Sequence, residues 1–438
     1  MKNIFKIFTI GLLISTVSCE DYSEDLNTDP NNFTDAPGSL VIGQAELEVV
    51  KLSESQASRY AGLFTDQFSG CDRQYIPYET YAVTTGDFDD TWDDLYAAGV
   101  AQSQYVQDKA AIDGDNVLLG VAQIMEALLF GEAAALFGDV PFSEAGDPLL
   151  FPNPQYDKQS DVLAGVQEIL NNALTNVGNT KVSNAFGGTI FVQNDATWSQ
   201  IAHSLKARYF LITKNYTGAY TESRLGITSA SGDLLARHGV NTGEKNLYFQ
   251  FTQEQRGGYL GLCNSPYLLR LLDGTTPRLL ATPGDSNRLD VYFDTANSEV
   301  NTNDGGYFAI DASFPIISFV ETKLIEAEAA ARTNQDGNTP FNTVRNYLAS
   351  EYGGTFPPST ATGDVLINQI LEEKYISLIG SLQVFHDTRR TNNALNIPIK
   401  GSTNSSVPQR FLYPQIEINA NTSFPGLVEI FTKTEVNN

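Results

Sequence analysis

The sequence has few of the side chains that ligate metals or act as nucleophiles, with three cysteines and three histidines among 438 residues. His203, His238 and His386 are far from one another and from any cysteine pair, so the usual zinc spacing is absent. Cys71 and Cys263 could form a disulfide in an oxidising compartment, but their separation in sequence does not establish one, and we expect free thiols. We expect neither a metal nor a cofactor.

Basic residues are scarce relative to acidic ones. The chain has 27 Lys and Arg against 52 Asp and Glu, which gives a formal net charge of −25. A protein of this charge is repelled by nucleic acid and by anionic lipid surfaces. Nucleic acid is therefore excluded as a partner, and membrane contact is expected only through a lipid anchor.

Long apolar runs are missing after the first residues, so we expect no later stretch to cross a membrane. At the start, Lys2 and Lys6 accompany an apolar run at 7–14, which is followed by small residues and Cys19. This pattern predicts a secretory signal over residues 1–18. The segment ending at Cys19 resembles a bacterial lipobox, in which the cysteine is acylated. The alternative is an ordinary signal peptide with a chance cysteine.

Residues 19–38 are acidic and rich in turn-forming residues, a composition typical of a flexible tether. Several acyl chains on Cys19 would make a stable anchor, since each buried methylene contributes about 0.8 kcal/mol. We expect residues 39–438 to form a single domain at the end of this tether.

Apolar residues recur at helical spacing through much of that domain. The segment 117–137 is apolar almost all round, which predicts a central helix. Gly120, Ala127, Gly131 and Ala134 put small residues along one stripe, where another helix can approach closely. We predict a mostly α fold of tetratricopeptide-like helix pairs, although no clean 34-residue period is visible. Other helices are predicted near 39–68, 87–106, 162–177, 198–212, 319–332, 341–350 and 365–380.

Residues 215–317 form a different, loop-rich insertion with many Gly, Asn, Thr and Tyr residues. Short strands are predicted at 247–252 and 291–294. An irregular segment of this length is usually functional. The final stretch, 392–438, is predicted to be irregular as well.

Catalytic signatures are missing from the sequence. It has no nucleophile elbow, zinc-protease helix, phosphate-binding loop or dinucleotide-binding turn. With 52 acidic residues, some carboxylate pairs reach glycosidase distances by chance, so their abundance is not evidence. The segment 334–338 faintly resembles a calcium loop but lacks the closing glutamate, and we interpret it as a turn. Nothing in the sequence demands calcium.

Seven segments carry a resemblance to a known family when taken together and in order. They are WDDLY at 92–96, ALFGDVPFSEA at 135–145, the segment 198–208 that begins with Trp198 and ends with LKAR, FVETKLIEAEA at 319–329, ILEEKY at 370–375, HDTRR at 386–390 and RFLYPQIEIN at 410–419. This set resembles the SusD/RagB family of outer-membrane glycan-binding lipoproteins, and it spans nearly the whole mature chain.

The resemblance implies a helical scaffold of four tetratricopeptide-like pairs that supports a loop-rich part holding the sugar site. It implies no catalysis, capture of oligosaccharide at the cell surface, and a role as the lid of a TonB-dependent transporter resembling SusC. Glu20 and Asp21, directly after Cys19, look like the signal that sends Bacteroidetes lipoproteins to the outside of the outer membrane.

A glycan offers flat CH faces and many hydroxyls, so its site needs exposed aromatic rings flanked by planar polar groups. Trp92 and Trp198 fall inside predicted helices, where we expect structural roles. Tyrosines are therefore the expected stacking residues.

Three groups of residues are candidates for sugar contact. The first is Asp66, Asp72, Arg73, Tyr75, Tyr78 and Tyr81; the second is Tyr259, Asn264 and Tyr267; the third is Arg389, Arg390 and Asn392. The alternative for the first two groups is tyrosines that pack a loop onto helices. The alternative for the third is arginines that pair with acidic neighbours.

Three other functions stay open at the level of sequence. A peptide-binding lid of a similar transporter would need a groove with unpaired backbone donors and fewer tyrosines. A surface glycoside hydrolase would release reducing ends, and a pure scaffold would bind no ligand. The sugar, its linkage and its length are not identified.

Overall fold

The computed structural model describes residues 36–182, 189–192 and 194–438, and helices make up most of this part of the chain. The prediction of a mostly α fold is confirmed. The helices are α1 (Gly38–Glu54), α2 (Gln56–Phe64), α3 (Tyr75–Glu79), α4 (Asp89–Asp93), α5 (Ala101–Asp113), α6 (Asn116–Phe137), α7 (Gln159–Val177), α8 (Trp198–Ile212), α9 (Tyr216–Ser223), α10 (Leu247–Phe249), α11 (Tyr267–Leu272), α12 (Asp285–Tyr292), α13 (Phe319–Arg332), α14 (Asn338–Tyr352), α15 (Gly363–Ser377), α16 (Leu382–Arg390) and α17 (Gln415–Ala420).

Strands in the described residues are short and pair in twos. They are β1 (Ser69–Gly70), β2 (Val140–Pro141), β3 (Tyr156–Asp157), β4 (Leu234–Ala236), β5 (Leu260–Gly261), β6 (Phe293–Asp294), β7 (Glu299–Val300) and β8 (Phe314–Ile317). The antiparallel pairs are β1 with β5, β2 with β3, β4 with β8, and β6 with β7. Two of these pairs join segments that are far apart in sequence.

The helix α6 is the centre of the scaffold, as its all-round apolar sequence predicted, and most of its side chains are buried. It begins where the Asp115 carboxylate accepts the backbone N–H of Leu118 at 3.0 Å, and it ends at Gly138. A Cβ at Gly131 would lie 2.1 Å from the Tyr209 ring, and one at Gly120 would lie 2.5 Å from Val177. The small residues therefore let α8 and α7 approach closely.

The same helix corrects one expectation. By length and composition alone, Asn116–Phe137 could cross a membrane, but 83% of its most apolar window is buried inside the fold. That burial is the ordinary behaviour of a core helix.

Neighbouring helices in the chain pack against each other throughout the scaffold. The helix α6 packs against both α5 and α7, α7 against α8, α8 against α9, and α13 against α14. Trp92 and Trp198 are buried in this scaffold, as expected.

Buried ion pairs tie the later helices together. Glu373 in α15 accepts from Arg288 at 2.7 Å, from Arg345 at 2.7 Å and from Arg278 at 3.0 Å. Burial alone would raise the pKa of Glu373, but the three guanidinium groups more than offset it and hold the pKa below its usual value. One carboxylate thus links α15 to α12, to α14 and to the segment that precedes α12.

The loop-rich insertion contains more helix than predicted. The strand expected at 247–252 is wrong, because α10 continues there into a π-helical segment, Gln250–Gln255. Only the end of 291–294 is a strand, since α12 extends to Tyr292. The helices α9 and α11 also lie within 215–317, and α16 was not predicted as a separate helix.

Several predicted features lie outside the described residues. They are the signal at 1–18, Cys19, and all but the last three residues of the tether. The segment 334–338 is the predicted turn, in which Asp336 accepts the backbone N–H groups of Asn338 and Thr339 at the start of α14.

Candidate functional site

The first two predicted groups of site residues meet in space. Ser69 lies opposite Gly261 and Gly70 opposite Leu260 in the antiparallel pair of β1 and β5. Next to this pair, Cys71 and Cys263 form a disulfide with Cα atoms 5.8 Å apart. The expectation of free thiols was wrong, because the strand pairing brings together two cysteines that are 192 positions apart. We call residues 66–81 and 256–270, with Arg59 and Lys400, the disulfide-linked face.

Each strand of this pair has a glycine at a position where a side chain would collide with nearby backbone. A Cβ at Gly70 would lie 1.9 Å from the Tyr75 carbonyl oxygen, and one at Gly261 would lie 2.7 Å from the Ser298 carbonyl oxygen. A larger residue at Gly70 would displace the start of α3, and one at Gly261 would displace the backbone at Ser298.

Three of the predicted tyrosines are core residues. Tyr75 and Tyr81 are each 4% exposed and Tyr259 is 7% exposed. Tyr75 packs against Phe251 at 5.2 Å and against Tyr259 at 5.7 Å between ring centroids. The expectation that these three rings form exposed platforms is wrong, because they pack the loops onto α2 and onto each other.

Two other predicted tyrosines, Tyr78 and Tyr267, keep part of their rings exposed. Tyr78 lies edge-on to Tyr60, at 5.2 Å between centroids, and donates its hydroxyl to Asp87. The ring of Tyr267 lies 5.7 Å from that of Tyr375 and its centroid lies 5.7 Å from the Arg270 guanidinium, while its hydroxyl donates to the Leu395 carbonyl oxygen at 3.4 Å. These half-buried rings are the candidate stacking surfaces of the face.

A buried carboxylate, Asp66, organises the cations beside Tyr267. Its Oδ1 lies 2.8 Å from Lys400 Nζ, and its Oδ2 lies 3.6 Å from the Arg270 guanidinium. Burial raises the pKa of Asp66 to about 6, against the opposing effect of Lys400 and Arg270. Asp66 is only 1% exposed, so it positions the two cations rather than contacting a ligand itself.

Polar groups on the surface of the face are available for direct contact. Asn264 is exposed, and its Nδ2 donates to Glu79 Oε2 at 2.7 Å, so the amide is held in place by the buried carboxylate. The side chain of Arg73 is 74% exposed, and its Nε lies 3.6 Å from the exposed carboxylate of Asp72. A pair this long and this exposed is weak and readily exchanged for a ligand.

The backbone of the face is strained at several positions. Asp66, Arg73, Tyr81 and Ser265 have φ angles of 55°, 43°, 69° and 49°, in the left-handed region that non-glycine residues rarely adopt. Such strain concentrates at functional sites, where the surrounding structure holds it in place. Its presence here favours a functional role for the face.

The third predicted group is not part of this face. Arg390 is buried between Glu328 and Asp387, with Arg390 Nη1 2.7 Å from Glu328 Oε1. Arg389 is buried too, and donates to the carbonyl oxygens of Ala135 and Gln409. Ligand contact by these two arginines is wrong as a prediction, because both have structural partners. Asn392 is exposed, and its side-chain oxygen accepts a hydrogen bond from Lys433 Nζ at 2.6 Å.

Sequence reasoning missed the cations that converge on the face. Arg59, Arg256, Arg270 and Lys400 come from three distant parts of the chain, so no local pattern joined them to the tyrosines. The only signal was proximity in sequence for Arg256 and Arg270, which flank the second group.

A separate cavity of about 490 Å³ lies elsewhere, with Leu47, Ile190 and His238 among its lining residues. His238 Nε2 lies 2.9 Å from the buried Glu54 carboxylate, so the imidazole is held by the scaffold. None of the predicted site residues lines this cavity. Within the described ranges, no group of three or more His, Cys, Asp and Glu side chains is arranged to hold a metal.

The fold and the face together define an α-helical scaffold protein that displays a loop-built polar and aromatic surface. The model of the SusD-like family, described as "Starch-binding associating with outer membrane", matches residues 30–251, just over half of the chain. The chain belongs to this family, as its motifs suggested.

Solved structures share the fold. A SusD/RagB family protein from Bacteroides thetaiotaomicron is 18% identical, with 89% of this chain and 95% of that chain covered and a TM-score of 0.63. A SusD homolog from Bacteroides fragilis is 19% identical, with coverage of 92% and 99% and a TM-score of 0.68. A chitin-binding SusD homolog from Flavobacterium johnsoniae is 14% identical, with coverage of 92% and 98% and a TM-score of 0.65. A search of curated proteins finds no significant match.

Proposed function

We propose that this protein is a non-catalytic glycan-binding lipoprotein of the outer cell surface. It captures an oligosaccharide on the disulfide-linked face and delivers it to a TonB-dependent transporter resembling SusC. The lipid at Cys19 and the tether at 19–38 hold it at the membrane, and residues 39–438 act as one binding domain.

One observation carries the proposal: two loops predicted separately as sugar-binding come together in one covalently linked surface. Half-exposed rings at Tyr78 and Tyr267 lie on the same face as the exposed Asn264 and Arg73. That combination of apolar ring and planar polar group suits a sugar. Membership of a family described as starch-binding, and the fold shared with a chitin-binding homolog, support the same ligand class.

The burial and ion pairing of two carboxylates of the face, Asp66 and Glu79, favour binding over hydrolysis. Asp66, whose pKa is raised to about 6, looks at first like a general acid, and Glu79 lies across Lys400 from it. Both side chains are buried and engaged by Lys400 and other neighbours, so a glycosidic oxygen has no access to them. They act as supports for the surface groups.

The experiment compares two tyrosines that have matched surroundings. Tyr267 and Tyr220 are both half-buried, and each has an arginine near its ring, Arg270 at 5.7 Å and Arg224 at 5.4 Å. The protein without residues 1–19 is screened on a glycan array, and affinities are then measured by calorimetry for Tyr267→Ala and Tyr220→Ala. We expect Tyr267→Ala to weaken binding about tenfold or more, in line with the loss of one stacking ring and its buried area.

Equal affinities for the two variants, with both folded, would remove the face from the site. Binding of peptides but no glycans in the same screen would replace the proposed function with a peptide lid. Release of reducing ends from a polysaccharide would replace it with hydrolysis. Co-purification with the neighbouring transporter tests the delivery step separately.

A further inference from the structure

Positive charge is in excess on the disulfide-linked face, although the chain as a whole carries a net charge of −25. The cations of the face are Arg59, Arg73, Arg256, Arg270 and Lys400, and its carboxylates are Asp66, Asp72 and Glu79. Asp87 accepts a hydrogen bond from the Tyr78 hydroxyl at the edge of the face, and counting it still leaves more cations than carboxylates. Cations therefore outnumber carboxylates among the residues of the face, on a protein that is acidic as a whole.

Two of these arginines lie against the buried rings of Tyr75, Phe251 and Tyr259. Arg59 donates from Nε to the Tyr75 hydroxyl at 3.0 Å, and its guanidinium lies 4.0 Å from the Phe251 centroid. The guanidinium of Arg73 lies 6.0 Å from the Tyr259 centroid. The aromatic rings thus hold the guanidinium groups in place from below.

These arginines also lack strong carboxylate partners. Among the described residues, no carboxylate lies within ion-pair distance of Arg59 or Arg256, and the one hydrogen bond that the Arg256 side chain makes is to the Gln255 carbonyl oxygen at 3.0 Å. Arg73 has only its long contact with Asp72. Arg73 and Arg256 are both exposed, so their donors face solvent.

We infer that the ligand of this face is an acidic glycan, one that bears carboxylate or sulfate groups. This inference rests on the proposed function, and it names the chemical class of sugar. A guanidinium matches a carboxylate or sulfate with two parallel N–H donors, a geometry that a neutral hydroxyl cannot reproduce. The face combines two exposed arginines, Arg73 and Arg256, for charge recognition with the half-exposed rings of Tyr78 and Tyr267 for stacking.

The overall acidity of the protein does not oppose this ligand at short range. Charges farther away than about 8 Å are largely screened at physiological ionic strength. The local excess of positive charge therefore decides the interaction once the glycan touches the face. Affinity is expected to fall as NaCl concentration rises.

The test uses acidic glycans paired with their own neutralised forms, so that linkage and length stay constant. Oligosaccharides of hyaluronan, alginate and polygalacturonate are compared with their carboxyl-reduced forms, and chondroitin sulfate with its desulfated, carboxyl-reduced form. Calorimetry on the protein without residues 1–19 measures each pair. We expect at least one acidic member to bind about tenfold or more tightly than its neutral partner.

Variants connect that preference to the arginines. The double variant Arg73→Gln and Arg256→Gln should lose about tenfold or more in affinity for the preferred acidic glycan and should bind the neutral form as the parent does. The control is Arg224→Gln, an exposed arginine near the Tyr220 ring and outside the face, which should change nothing. A second double variant, with lysine in place of Arg73 and Arg256, should bind the acidic glycan more tightly than the glutamine variant but less tightly than the parent. Lysine restores the positive charge but not the two parallel N–H donors of a guanidinium.

The outcomes separate this inference from the proposed function. If neutral glycans bind as tightly as their acidic partners, or if the glutamine variant keeps the acidic preference, the acidic-glycan inference is overturned and glycan binding stands. If no glycan of either kind binds, the proposed function fails and the inference falls with it.

Discussion

Arginines have two different surroundings in this molecule. In the scaffold, Glu373 is shared by three buried arginines, and Arg390 is buried against Glu328. On the disulfide-linked face, Arg59 and Arg256 have no carboxylate within ion-pair distance among the described residues. The scaffold neutralises these arginines internally, whereas on the face Lys400 and Arg270 share Asp66 and the guanidinium groups of Arg59 and Arg256 are left without a carboxylate.

The difference separates stability from recognition. A buried arginine with a carboxylate partner makes the fold depend on the pair, because either charge left alone in the interior is costly. An exposed arginine that rests on an aromatic ring contributes little to folding, so it is available to a ligand. Variants of the scaffold should therefore change stability, and variants of the face should change binding.

The largest effect is expected for Glu373→Gln. This change removes the one negative charge that three buried guanidinium groups share, so the free energy of unfolding should fall by ~3–5 kcal/mol. Denaturant unfolding followed by circular dichroism measures it. Asp195→Asn, in an exposed pair with Lys181, serves as the control and should leave the unfolding midpoint unchanged. Equal midpoints for the two variants would contradict the structural role of the scaffold arginines.

The next effect concerns the covalent link of the face. Replacing Cys71 and Cys263 by serine removes a cross-link between positions 192 residues apart, and should lower the free energy of unfolding by ~2–4 kcal/mol. Glycan affinity should fall too, since β1 and β5 hold the two binding loops together. Reductant should reproduce both effects in the parent protein and add nothing in the double variant. A reduced parent with unchanged stability and affinity would show that the strand pairing suffices.

A smaller, pH-dependent effect is expected at Glu46, a buried acid that lacks any cation partner in the described residues. It accepts from Thr189 Oγ1 and from the Ile190 N–H at 2.9 Å, and burial raises its pKa from 4.5 to about 7. Between these two pH values the folded state keeps a proton that the unfolded state releases, so stability falls as pH rises through the window.

Glu46→Gln should remove that dependence. Above pH 7 the variant should be more stable than the parent by up to about 3 kcal/mol, and below pH 4.5 the two should be alike. Thermal unfolding at a series of pH values measures the difference. A variant less stable than the parent above pH 7 would mean that the ionised carboxylate is favourable where it lies.

The sequence predicts the scaffold better than the face, for a physical reason. Helical spacing is a local signal, so the helices predicted at 319–332 and 198–212 have the observed bounds Phe319–Arg332 and Trp198–Ile212. The disulfide and the position of Lys400 beside Asp66 depend on contacts between distant segments, and no local pattern reports those.

The predictions for the tyrosines failed where the rings are buried in the fold. Tyr75 and Tyr81 looked like loop residues in the sequence, because Gly70, Pro77 and Gly86 interrupt the helical pattern around them. In the fold Tyr75 begins the short helix Tyr75–Glu79 and Tyr81 follows it, and both rings pack inward against α2. Sequence could predict where the aromatic residues gather, but not which rings remain exposed.

The central claim is that ligand binds on the disulfide-linked face. Hydrogen exchange of the protein, with and without the tightest-binding glycan of the paired panel, tests it most directly. The account predicts slower exchange in residues 66–81 and 256–270 on binding. Slower exchange confined to residues 236–247, beside the cavity at His238, would contradict it.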